Sequence, residues 1–76
     1  MTRFQYIGEN FLTIKKEVKM GLVSPTVLAH YAIYSRYDYY RKLDNYVGVS
    51  VLITSDNFRI SERLVYKIIK EMEESI

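Results

Sequence analysis

The fifteen residues ISERLVYKIIKEMEE, Ile60 to Glu74, decide how the rest of the chain is read. Ser61 stands where a side-chain oxygen accepts an otherwise unpaired amide at a helix start, and Glu62 places negative charge at the positive helix end. Ile60 and Val65 have the spacing of a hydrophobic staple across that cap. Val65, Ile68, Ile69 and Met72 recur at i, i+3, i+4 and i+7, so the segment is an amphipathic helix with one buried face. Ser61, Glu62, Arg63, Tyr66, Lys67 and Lys70 form the opposite face. That face is either the wet side of a surface helix, where charges at i and i+4 are common, or a surface that meets a ligand.

Working outward, Ser50 to Phe58 predicts a short helix capped by Ser50 and weakened by the β-branched Val51, Ile53 and Thr54. Leu43 to Val49, with Asp44, Asn45 and Gly48, reads as a loop. Val23-Ser24-Pro25 is a strong helix start, because Ser24 can cap and Pro25 at the first helical position lacks only an unneeded donor. A long helix is expected from there to about Arg41, with Leu28, Ala32, Ser35 and Tyr39 on one stripe and Ala29, Ile33, Tyr37 and Tyr40 on a second. One stripe would face the core. The second, Ala29, Ile33, Tyr37 and Tyr40, would then be exposed together and marks an expected homodimer interface. Lys15 to Met20 allows a turn or two of helix ended by Gly21. Before it, Phe4/Tyr6 and Leu12/Ile14 alternate, which predicts a short strand near Phe11 to Ile14 after a loose start.

At 76 residues the chain has room for one domain, residues 1–76, and without cysteine it has neither disulfides nor thiolate metal sites. Its net charge is only +2, but residues 1 to 70 carry all 11 basic side chains against 6 acidic ones, so a basic body precedes an acidic tail. No apolar run approaches the ~20 residues that span a bilayer, and the expectation is a soluble, cytoplasmic protein with no membrane partner. His30 is the only histidine, and no G-x-S-x-G elbow or clustered glycine loop occurs. No catalytic residue, metal site, cofactor or small-molecule ligand is therefore expected, and the protein is read as not an enzyme.

The stretch SVLITSDNFRISERLVYKIIKEMEE, Ser50 to Glu74, resembles the helix-turn-helix half of a winged-helix domain. The small Ser55, the apolar Phe58 and the Ile60-Ser61 pair stand at that family's spacing. GLVSPTVLAHYAIYSRY, Gly21 to Tyr37, is similar to the first helix of bacterial plasmid or phage replication-initiator and regulator N-terminal domains. Arg59 stands where the family usually has Gly in the turn, and Thr54 where it has Leu or Ile. The resemblance implies a mainly α fold, a three-helix helix-turn-helix (winged-helix-like) core with a short N-terminal strand. Ile76 falls where the wing would begin, so the wing is expected to be absent or truncated. It also implies sequence-directed double-stranded DNA binding by a small bacterial, plasmid or phage protein, as a transcription regulator or a replication or partition accessory.

Physical chemistry reaches the same partner separately. A helix with a polar first turn and an apolar back fits a groove about 12 Å wide, that of B-form DNA. Arg63 has the planar fork that reads guanine, and Lys67 and Lys70 suit phosphates. Ser50 and Arg59, at the two ends of the preceding helix, complete the expected DNA face. A different class stays open: a protein-protein interaction module using the long helix, on which Tyr31, Tyr34, Tyr37, Tyr39 and Tyr40 crowd.

Overall fold

A computed structural model describes all residues, 1 to 76, and shows a mainly α protein with almost no strand. Five helices follow one another: α1 (Arg3–Glu9), α2 (Phe11–Lys19), α3 (Thr26–Lys42), α4 (Val47–Phe58) and α5 (Glu62–Met72). No helix is long and apolar enough to cross a membrane.

The expected N-terminal strand is a pair of helices, and the reason is local. Thr2 and Gln5 form a reciprocal capping box, in which the Gln5 amide donates to Thr2 Oγ1 at 3.2 Å and the Thr2 amide donates to Gln5 Oε1 at 2.8 Å. Phe4, Ile7, Phe11 and Ile14 then fall at helical spacing, with Ile7 buried and the other three half-buried. The only β feature is an isolated antiparallel bridge between Thr2 and Ser75, where the two ends of the chain meet. The Arg3 amide donates to the Glu74 carbonyl at 2.8 Å and the Ile76 amide to the Met1 carbonyl at 2.9 Å.

Gly21 closes α2 as its position suggested. It takes φ +76°, its amide donates to the Val18 carbonyl and the Leu22 amide to the Glu17 carbonyl, the pattern that satisfies a helix's last carbonyls. Ser24 and Pro25 open α3, with the Thr26 amide donating to Ser24 Oγ at 3.3 Å.

Helices α3, α4 and α5 pack on one another around Val51, Val65 and Ile68, which have no exposed surface, and Met72 is nearly as deep. The face of α3 that turns inward carries Ile33, Tyr34 and Tyr37, and this corrects the stripes expected from the sequence. Ala32 and Tyr39 are exposed, whereas Ile33 and Tyr37 belong to the core and are closed to a partner. The physical cause lies in α1 and α2. Phe4 stacks on Tyr31 with ring centroids 5.0 Å apart and tilts against Tyr34 at 4.6 Å, while Phe11 meets Tyr31 at 5.3 Å. These rings draw the tyrosine side of α3 under the N-terminal helices. Gly8 permits the approach, since a Cβ there would lie 3.2 Å from the Tyr31 hydroxyl.

Candidate nucleic-acid interface

The candidate face is built by the end of α4, the turn at residues 59–61, and α5. The turn is set by Arg59, which adopts the left-handed conformation with φ 55° and ψ 47°. Its amide donates to the Asp56 carbonyl, and the Ile60 amide reaches back to the Ser55 carbonyl at 3.1 Å. This is the same helix-closing geometry that Gly21 makes without strain. For a side chain with a Cβ it costs about 1 to 2 kcal/mol. Ser61 then caps α5, its Oγ accepting the Leu64 amide at 3.1 Å, with Glu62 in the first turn as expected. Val65, Ile68 and Met72 are buried and Ile69 is half-buried, so the apolar face of α5 sits where its spacing put it.

The opposite face is exposed along its whole length: Ser61, Glu62, Arg63, Tyr66, Lys67 and Lys70 all meet solvent, as does Arg59. Ser61, Arg63, Leu64 and Lys67 line a shallow depression on it. None of Arg59, Arg63, Lys67 and Lys70 takes part in an ion pair. The acidic residues that follow Lys67 and Lys70 are engaged elsewhere. Glu71 Oε2 lies 3.1 Å from His30 Nδ1, Glu73 accepts the Tyr34 hydroxyl at 2.9 Å, and Glu74 pairs with Arg3 at 3.1 Å. The i,i+4 pairs Lys67 with Glu71 and Lys70 with Glu74 are therefore not made. The acidic tail of the sequence is tied to α1 and α3, and the basic face of α5 keeps Glu62 as its only acidic side chain.

Ser50 does not belong to this face, and this is a correction. Helix α4 starts earlier, at Val47 after Tyr46, so Ser50 lies inside the helix and is fully buried rather than capping it or meeting DNA. Its Oγ and the Thr54 Oγ1 one turn later have no hydrogen-bond partner. The start of α4 has no side-chain cap, and so it carries no signal that the sequence could show.

The expected dimer face is also dismantled: Ile33 and Tyr37 are buried, Ala29 is exposed, and Tyr40 is half-buried with its hydroxyl accepting Asn57 Nδ2 at 2.7 Å. The tyrosine crowding on α3 is mainly internal packing, with Tyr34 and Tyr37 in contact at 5.6 Å. Burial and then the Glu73 carboxylate raise the Tyr34 phenol well above its ordinary value. The same two influences, in the same order, raise Tyr37. Both stay neutral, as buried packing groups. Arg36, beside Ala32, Ser35, Tyr39 and Phe58 in a second shallow depression, is a further unpaired cation on α3, among the basic residues whose interleaving with the tyrosines keeps a phosphate-contacting role for that helix open.

No protein-family model matches this chain, and no curated protein or solved structure matches it either. Geometry and electrostatics therefore carry the functional argument alone.

Proposed function

We propose that α4, the turn and α5 act as a helix-turn-helix unit, in the manner of winged-helix domains, and that α5 enters the major groove of double-stranded DNA. The observation that carries this reading is the run of exposed, unpaired cations Arg59, Arg63, Lys67 and Lys70, whose following carboxylates Glu71, Glu73 and Glu74 are held by other partners, leaving only Glu62 as an acidic side chain on the face. A merely solvated helix face gains from its i,i+4 ion pairs; this one leaves them unmade. The strained Arg59 supports the same reading, because a residue kept at a conformational cost where Gly is free is a pointer to function.

In this reading Arg63, in the first turn of α5, addresses a base edge with its bidentate fork. Arg59, Lys67 and Lys70 meet phosphates, and Tyr66 packs against the sugar-phosphate wall. Three phosphate contacts give a log K against log salt slope of about −2.7, so a fourfold rise in salt weakens binding roughly 40-fold. Fluorescence anisotropy with random and AT-rich duplexes at two salt concentrations tests it. Binding with that slope supports the proposal, and no binding to any duplex at low salt overturns it. The biological role that fits is that of a small transcription regulator or a replication or partition accessory.

A further inference from the structure

The buried side of helix α4 carries Ser50, Val51, Thr54 and Ser55, while apolar side chains stand on its outer side. That is the reverse of the usual arrangement for a surface helix. Its outer side exposes Val49 and Leu52, and the residues leading into it expose Leu43 and Tyr46, the last at 82%. No charged side chain interrupts the stripe Tyr46, Val49, Leu52 until Asp56 at its far end.

We propose that this stripe is the contact surface for a second copy of the chain, with the two α4 helices packed antiparallel about a two-fold axis between residues 50 and 51. The register follows from charge and spacing together. The Arg41 guanidinium is fixed at the N-terminal end of α4 by donating to the Asn45 carbonyl at 2.7 Å, and no carboxylate pairs with it. Asp56, one turn from the C-terminal end, is exposed and also unpaired. Residues 45 and 56 share a midpoint with Val49 and Leu52. An antiparallel pair centred there sets Val49 of each copy against Leu52 of the other and brings each Arg41 to the other's Asp56. The helix dipoles then oppose favourably as well.

Gly48 is the second observation. It lies on the outer side of α4, and a Cβ built there would meet nothing within 4 Å, so the single chain gives no reason for a glycine in this helix. In the pair it borders the seam formed by Val49 and Leu52, where a missing side chain lets two helix backbones approach closely. The exposed Leu43, Tyr46, Val49 and Leu52 make a patch below the ~600 Å² per partner at the lower end of stable interfaces, so the pair is a weak, concentration-dependent dimer. It uses neither the α5 face nor the DNA reading.

Sedimentation velocity over a concentration series up to the submillimolar range tests the proposal. Wild type is expected to shift from monomer to dimer, and Leu52→Asp to remain monomeric. Gly48→Leu fills space that is open in the single chain, so it should keep the wild-type thermal melt at low concentration and lose at least tenfold in dimer affinity. Asp56→Arg should weaken the dimer, and Arg41→Glu combined with Asp56→Arg should restore it. A wild type that stays monomeric throughout overturns the proposal, as does a dimer whose affinity Gly48→Leu and Leu52→Asp leave unchanged.

Discussion

Replacing Thr54 by Val should stabilise the protein. Thr54 has no exposed surface, and its Oγ1 has no hydrogen-bond partner, while α4 packs against both α3 and α5 at this level. Burying a hydroxyl without a partner costs about 1 to 3 kcal/mol. Valine has nearly the same shape and the same stiff β-branch, so helix propensity and packing volume barely change while that cost disappears. The expected gain is about 1 to 2 kcal/mol, which in a domain of this size raises Tm by roughly 4 to 16 °C. Thr54→Ala separates the two contributions, because it removes the hydroxyl but also a buried methyl and leaves a small cavity; its gain should fall below that of Val. Circular-dichroism melts and urea titrations of the three proteins measure this directly. A Thr54→Val variant less stable than wild type by more than about 0.5 kcal/mol would refute the reasoning, since it would mean that the hydroxyl is satisfied within the fold.

Ile68→Ala should cost about 2 to 5 kcal/mol, enough to abolish a cooperative melt in so small a domain; an unchanged melt would relocate the buried face of α5. Arg59→Gly should gain about 0.5 to 1 kcal/mol in chemical denaturation by relieving the left-handed strain, less the added chain entropy of Gly, while weakening duplex binding. If it stabilised without affecting DNA, the functional role of Arg59 would be withdrawn. Alkaline pH should unfold the protein early. The phenols of Tyr34 and Tyr37 are raised in the folded state, so the unfolded chain releases their protons first, near pH 10. Stability is then full below pH 10 and falls above it, by at most about 1.4 kcal/mol per pH unit for each tyrosine. Tyr34→Phe should halve that slope, and a slope unchanged in the variant would show that Tyr34 does not carry it.

The last helix was readable because every signal in it agrees: the Ser61 cap, the Ile60 and Val65 staple and the 3.6-residue apolar period all point one way. The N-terminal helices were equally written in the sequence, in Thr2, Gln5 and the spacing of Phe4, Ile7, Phe11 and Ile14. Over a window this short, however, the alternation of Phe4 and Tyr6 mimics a strand, and Gly8 looks like a break when it serves a close approach. The rotation of α3 was not readable. Both of its stripes are apolar, and the choice between them is made by contacts with Phe4 and Phe11, from another part of the chain. Ser50 misled for a related reason. An N-cap residue type inside a helix looks like a boundary, and the true start at Val47 has no side-chain cap to mark it. The exposed positions of α5 followed directly from its period, but the absence of i,i+4 ion pairs there depends on Glu71, Glu73 and Glu74 finding His30, Tyr34 and Arg3, contacts that only the fold creates.

The central claim is that α5 reads duplex DNA, and comparing Arg63→Ala with Lys67→Ala tests it most directly. Both side chains are exposed and unpaired, so neither change should disturb the fold. Anisotropy titrations against a panel of duplexes differing at single positions, each at several salt concentrations, separate their roles. Arg63→Ala should lose about 1 to 3 kcal/mol at one base position and relax the preference there. Lys67→Ala should weaken all duplexes alike and flatten the salt slope by about one unit. Wild-type affinity in both variants for every duplex, with unchanged salt slopes, would contradict the account.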